Sequence, residues 1–199
     1  VILMINKKVV DGNELEKDLL VESDDKGYYY YHSKHLVTIV YFEKGKGVHF
    51  VDGQKYEVSG GDLFILNPGT RHYFTSDDMA LNVTNIFFSS SFIDKNVKDK
   101  EFLGVLLGEL IDEKQDREER KISFIHLSKV TNQIYANLVQ DIVNEYSIKQ
   151  LFYLDVIRKN IEMLLVRAIR EYNLDKQTLT LTVTQKKSVE DFIDLIEKD

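Results

Sequence analysis

Apolar residues fall into two regimes along this chain, short runs cut by turn residues in the first half and helical spacing in the second. Leu36 to Phe42 reads Leu-Val-Thr-Ile-Val-Tyr-Phe, rich in β-branched and aromatic residues, and Gly45 and Gly47 stop it. Val48 to Val51 leads into Asp52-Gly53, a hairpin signal, and Lys55 to Val58 returns. Ser59-Gly60-Gly61-Asp62 turns again, and Leu63 to Leu66 runs into Asn67-Pro68-Gly69. Arg71 to Thr75 and Leu81 to Phe88 complete the set. Short strands at this even spacing predict a sandwich or barrel rather than a parallel α/β sheet. Within Leu36 to Phe42, Val37, Ile39 and Tyr41 share one face; Leu36, Thr38, Val40 and Phe42 share the other. Both faces are largely apolar, so both are expected to be covered.

The second half is helical in pattern. Phe102, Leu103, Leu106, Leu107, Leu110 and Ile111 form a wide apolar stripe, followed by a charged stretch from Asp112 to Lys121. Ile122 to Leu127 reads as a last short strand. Ser128 then caps a helix in which Val130, Ile134, Leu138, Ile142 and Tyr146 recur every fourth residue. In the next helix Leu154, Ile157, Ile161, Leu164 and Ala168 alternate steps of three and four, the seam of a helix pair or short coiled coil. That seam has two uses, burial against the preceding helix and the β layer, or an isologous contact with a second copy. Residues 175–187 are mostly polar and read as a linker. Ser188 restarts a helix with Val189, Phe192, Ile193 and Ile196 on one face, which needs a surface to pack on.

Composition sharpens this division. Eight of the ten glycines precede residue 70, so the expected class is α+β, with strands first and helices after. The 199 residues, 43% apolar and 11% aromatic, are enough for one ordinary core, and no run approaches the roughly 18 apolar residues of a membrane span. Zero cysteine removes disulfides, Cys-ligated metals and thiol chemistry together. The net charge of −7 argues against direct binding of duplex DNA.

Several of these pieces carry a resemblance. The Gly45-Lys46-Gly47 turn, the Asp52-Gly53 hairpin and the run Gly61-Asp62-x5-Pro68-Gly69-Thr70-Arg71-His72 resemble the cupin fold. More narrowly, with Phe88-Ser89-Ser90-Ser91-Phe92-Ile93 as the strand exit, they resemble the effector-binding domain of AraC/XylS-type transcription regulators. The resemblance implies a cupin-like antiparallel β-barrel (a double-stranded β-helix) followed by a C-terminal helical pair, a linker and paired helix-turn-helix units. On that reading residues 1–26 are an N-terminal arm and 27–127 the barrel with an inserted helix. Residues 128–174 are a helical dimerisation region, and 175–199 a linker with the start of a helix-turn-helix domain that lies beyond this chain.

The candidate chemistry divides into two cases. Four of the five histidines, His32, His35, His49 and His72, lie in the β half and invite a metal reading. The cupin metal motif needs two histidines one residue apart and a downstream glutamate. Here His32 and His35 are three apart, which aims them to opposite faces of a regular strand, and Thr38 occupies the glutamate slot, with Glu43 beside the turn. The expectation is therefore no metal, no cofactor and no catalytic group. A ligand receptor asks for an apolar cavity with a few directed polar groups. Thr38 marks the cavity face of its strand, and His72 and Phe74 share a face of theirs; His32, Thr38, His72, Phe74 and Asn82 are the candidate lining residues. His72 has an alternative use, pairing with a backbone carbonyl at the barrel rim. Tyr28 to Tyr31 supply either a lid edge or aromatic packing at the barrel mouth.

These readings combine into one expectation. The chain is a cytoplasmic sensor that binds a small-molecule effector, a sugar or another polar metabolite, and forms a homodimer through Leu154, Ile157, Ile161, Leu164 and Ala168. It contacts DNA only through the C-terminal domain and has no membrane role. The alternatives are a stand-alone metal-dependent cupin isomerase or dioxygenase, and a cupin-like carbohydrate-binding module.

Overall fold

The computed structural model describes residues 6–9, 19–24, 29–32, 36–76, 81–94 and 123–172. Ten strands are seen among them: β1 (Asn6–Val9), β2 (Leu19–Asp24), β3 (Tyr29–His32), β4 (Val37–Lys44), β5 (Lys46–Val51), β6 (Gln54–Ser59), β7 (Asp62–Leu66), β8 (Arg71–Thr75), β9 (Asn82–Phe88) and β10 (Ser123–His126). They form two five-stranded sheets, β1-β3-β8-β5-β6 and β10-β7-β4-β9-β2. The β1–β3 pairing is parallel, and the other pairings between the described strands are antiparallel. A short helix α1 (Ser90–Asp94) follows β9, and α2 (Lys129–Ile148) and a second long helix, α3 (153–172), form a hairpin after β10. This is the cupin-like antiparallel barrel with C-terminal helices that the strand pattern and the resemblance predicted. No helix among the described residues is long and apolar enough to cross a membrane.

The turn chemistry explains the registers. Asp52 and Gly53 both have positive φ (45° and 85°), the pairing that a tight two-residue hairpin between right-twisted strands requires. At the next turn the Gly61 N–H donates to the Phe42 carbonyl at 2.8 Å, and an added Cβ would meet the Asn132 side chain at 3.5 Å. The Asp62 carboxylate holds this turn from inside, accepting from the Ser59 N–H at 2.6 Å and from His126 Nδ1 at 2.6 Å. The Leu127 N–H then donates to the Gly61 carbonyl, so the entry to α2 is fastened to the same turn.

Two apolar groups result, one on each face of β4. Leu36, Val40 and Phe42 join Val51, Val58, Phe64, Leu66, Phe74, Leu81, Val83 and Phe87 between the two sheets. Val37, Ile39 and Tyr41 face the other way and meet the buried faces of α2 and α3. The strand exit Phe88-Ser89-Ser90-Ser91-Phe92 belongs to this outer layer. Ser89 Oγ accepts from the Phe92 N–H at 3.0 Å, and the Arg158 guanidinium lies over the Phe92 ring and donates from Nε to its carbonyl at 2.7 Å.

The structure places several of the expected pieces. Within residues 1–26, β2 pairs with β9 along its length, and Leu19 and Val21 enter the core. Tyr29 to Tyr31, read as a lid or mouth packing, belong to β3. In α2 the buried residues are Tyr135, Val139 and Ile142, whereas Val130 is exposed. A strict four-residue step drifts around a helix of 3.6 residues per turn, so the predicted stripe leaves the buried face. In α3, Ile157, Ile161, Leu164 and Ala168 are fully buried within the chain's own core, and Leu154 is 39% exposed. Most of the seam assigned to a second copy is filled by α2 and the sheet. The helix expected at 102–111, His35, the linker at 175–187 and the helix from Ser188 lie outside the described residues.

Candidate functional site

Between the sheets lie mainly apolar and aromatic side chains packed against one another, with a few polar ones among them. His49 on β5 and His72 on β8 are fully buried, and His49 Nε2 and His72 Nδ1 are 3.2 Å apart. The strands that carry them are neighbours in one sheet, with Val51 opposite His72 and His49 opposite Phe74. Phe64 stands edge-on to the His49 ring at 4.4 Å, and the Phe42 ring is 5.3 Å away. Phe42 in turn makes edge contacts at 6.0 Å with Phe64 and Phe74. Tyr56 lies against Phe64 with its hydroxyl directed to Gln54, so its ring closes one side of the group.

Burial decides the charge state. It pushes His72 down to about 3, and it holds His49 well below the ordinary imidazole range, with the neighbouring His72 ring acting in the same direction. Both rings are therefore neutral near neutrality, and the bond between them uses one N–H and one lone pair. Whichever ring donates, His49 Nδ1 remains as a buried polar atom with no hydrogen-bond partner among the described residues.

Asn85 on β9 is the third polar member. Its neighbours two positions away, Val83 and Phe87, belong to the interior group, so its side chain is on the interior face. It is fully buried, and both Nδ2 and Oδ1 lack a partner among the described residues. Such an amide is uncommon in a folded core and calls for an explanation.

The predicted lining residues separate on this geometry. Thr38, His72 and Phe74 are buried on interior positions, Thr38 opposite Phe87 and Leu66 in its two pairings. Asn82 is on the other face of β9 and donates to Glu43 Oε2 at 3.0 Å, so it does not join them. His32 lies on β3 opposite Arg71, and it is Tyr31 that stands opposite His72; the side chains of β3 lie outside the described residues. His49 and Asn85 were missed. Asn85 shares its parity with Phe87, which is readable from sequence, but the cross-strand register that brings His49 to His72 is not. Among the described residues no group of three or more His, Asp or Glu is placed to hold a metal ion.

A second set of polar contacts leads outward. The Tyr41 hydroxyl donates to Asn132 Oδ1 on α2 at 2.6 Å, and its ring is 6.0 Å from that of Tyr135. Tyr135 donates through its hydroxyl to the Leu164 carbonyl of α3. Burial, with help from the Glu43 charge, pushes Tyr41 up to about 12, and burial raises Tyr135 as well. Both phenols are therefore fixed as donors.

Comparison with known proteins bears on this arrangement. The AraC-like ligand binding domain family matches residues 19–118. The HTH-type transcriptional activator RhaS of Escherichia fergusonii is 36% identical over 61 residues, which are 31% of this chain and 21% of that protein. Among solved structures, apo ToxT K231A from Vibrio cholerae is similar with a TM-score of 0.50 at 13% identity, covering 78% of this chain and 57% of that one. A cupin protein from Bacteroides fragilis is similar over 36% of this chain and 64% of its own, with a TM-score of 0.31 and 22% identity. The matches span about a fifth of RhaS and somewhat over half of ToxT.

Proposed function

The chain belongs to the family of AraC-like ligand-binding domains, and from that premise we propose that it is the ligand-sensing and dimerisation part of a transcription regulator and has no enzymatic role. The observation that carries the reading is the set of buried polar side chains, His49, His72 and Asn85, inside an aromatic barrel. An interior built only for stability gains nothing from a doubly unpaired amide, which destabilises by about 1–3 kcal/mol. A small molecule that pairs with it removes that penalty upon binding. Neutral imidazoles and a neutral amide supply hydrogen bonds but no activated nucleophile.

Signalling follows from the two faces of β4. A guest among the interior side chains displaces Val40 or Phe42, and Tyr41 between them bears on Asn132 of α2. Dimerisation belongs to the exposed side of the helix hairpin. Among the described residues, apart from Phe124, the exposed large apolar residues, Val130, Ile148, Leu151, Phe152, Leu154, Val156 and Met163, all fall in α2, α3 or their connection. The acidic net charge opposes contact with phosphates, so DNA binding falls to a helix-turn-helix unit elsewhere in the whole protein, which works in the cytoplasm. The name of the matched activator supports that division.

The test is a thermal-shift screen of small metabolites, followed by sedimentation with and without each compound that binds. A compound that raises the melting temperature in a saturable way and alters the monomer–dimer balance is the expected result. A protein that purifies with one equivalent of iron, manganese or zinc and turns over a substrate would overturn the sensor reading.

A further inference from the structure

The polar atoms of the barrel say what kind of molecule fits. Resting on the sensor reading above, we propose that the effector is an uncharged molecule with one amide-like edge, a donor beside an acceptor, on an otherwise apolar body, and that Asn85 reads that edge.

The described interior side chains bear on the charge of the guest. Among the described residues the buried charged side chains are Asp62 and Arg158. Asp62 is bonded to Ser59 and His126 at the end of β7, and Arg158 is bonded to Phe92 on the helix side. Neither leaves a countercharge for a guest between the sheets. A carboxylate or ammonium there would lose its hydration with no opposite charge from the described residues in return, which favours an uncharged effector.

The number of polar atoms restricts the class further. A monosaccharide carries a hydroxyl on nearly every carbon, and each must find a partner when buried. The described interior offers the two ends of Asn85, His49 Nδ1 and few others, against walls of Phe42, Phe64 and Phe74. This balance matches a molecule that is polar along one edge and apolar elsewhere.

Asn85 fixes the form of that edge. A primary carboxamide presents a coplanar N–H and C=O, and both are unpaired here. Its complement is another donor–acceptor pair in one plane, as in a primary amide, a lactam or a pyridone. His49 Nδ1, a further buried polar atom between the sheets, can accept or donate according to the tautomer of the pair.

The experiment uses benzamide and 2-pyridone as uncharged amide-edged probes, benzoate as an anion of the same shape, and D-glucose as a polyol. All are tested at millimolar concentration by thermal shift and calorimetry on the wild type and on Asn85→Leu. The expected result is saturable stabilisation by an amide-edged probe and none by benzoate or D-glucose. Asn85→Leu should weaken that binding by about tenfold or more. The free Asn85→Leu protein should melt at or above the wild-type temperature, since it buries one unpaired amide fewer. A lower melting temperature for the free variant would mean that Asn85 is already paired within the protein, and the proposal falls. A flat response to both amide probes overturns it too. Binding of benzoate or D-glucose that is lost in Asn85→Leu overturns the ligand class and leaves the sensor reading in place. A probe whose binding survives Asn85→Leu at full strength sits elsewhere and removes support for the barrel as the sensor site.

Discussion

Mild acid should destabilise this barrel through two side chains, His49 and His72. Burial pushes His72 down to about 3, and holds His49 well below its ordinary value with the adjacent His72 ring adding to the effect. In the unfolded chain both rings protonate near their ordinary value of 6.5. Between those limits the unfolded state binds protons that the native state does not. Stability is thus complete above about pH 6.5 and declines as the pH falls towards 3. At about pH 5 one imidazole held neutral loses about 1.5 pH units at 1.4 kcal/mol each, or about 2 kcal/mol. The His49 ring, held low by the same burial, adds to this loss, which is already a sizeable part of the 5–15 kcal/mol typical of a domain. Carboxylates titrate mainly below about pH 5, so the interval from about pH 6.5 to pH 5 isolates the imidazoles.

The assay is urea unfolding at stepped pH, followed by circular dichroism and by the fluorescence of the eleven tyrosines, with no tryptophan to mask them. With a slope of about 2–3 kcal/mol per molar urea, the midpoint should drop by about 1 M or more between pH 7 and pH 5. The double variant His49→Leu/His72→Leu should lose most of that dependence. Proton NMR gives an independent reading, two imidazole resonances that do not titrate over this interval. A flat midpoint in the wild type, or an unchanged pH slope in the double variant, refutes the reasoning.

Two further outcomes concern the helices. Tyr41→Phe removes the hydroxyl that donates to Asn132, and it should lower stability by about 1 kcal/mol and raise amide exchange at the start of α2; unchanged exchange there would mean that β4 does not hold α2. Ile161→Glu places a charge at a fully buried position and should abolish cooperative unfolding, whereas Phe152→Glu, at a site 66% exposed, should keep the fold and shift sedimentation towards monomer. Folded monomers from Ile161→Glu would restore the buried stripe as the dimer contact.

Local signals made the barrel legible. The Asp52-Gly53 turn, the Gly61-Asp62 turn and the Asn67-Pro68-Gly69 turn each fix a chain reversal within four residues, and the strands between them follow. The alternation along Leu36 to Phe42 also assigned the interior face correctly, with Leu36, Val40 and Phe42 inside and Val37, Ile39 and Tyr41 outside. Non-local pairing was not legible. Nothing near His49 says that it meets a histidine 23 positions away. Asn82 and Asn85 differ only in parity, and the choice between them depended on knowing that Phe87 rather than Phe88 points inward. The α3 stripe shows a related limit. Sequence identifies which face is buried, but an apolar seam reads the same whether the partner is in the same chain or another.

The remaining physical question is how a small change between the sheets reaches a distant surface. β4 is the central strand of its sheet, hydrogen-bonded to β7 and β9 on either side, so it cannot slide alone. Displacing Val40 or Phe42 therefore rotates β4 together with its neighbours, and Tyr41 moves with them because consecutive Cα atoms are about 3.8 Å apart on a rigid peptide. α2 is joined to the barrel near its N-terminus, by Tyr41 to Asn132 and by Gly61 to Leu127, and further along it Val139 and Ile142 are buried in the same core as residues of β2 and β4. With 20 residues the helix is about 30 Å long. A tilt of about 5° at the fastened end would carry the other end about 2–3 Å, the scale of known interface rearrangements. That end is where Ile148, Leu151 and Phe152 are exposed, with Lys149 and Phe152 both at positive φ. On the proposed sensor reading, a shift of β4 would reach this exposed apolar surface through the α2 core contacts, and the surface is the proposed dimer contact.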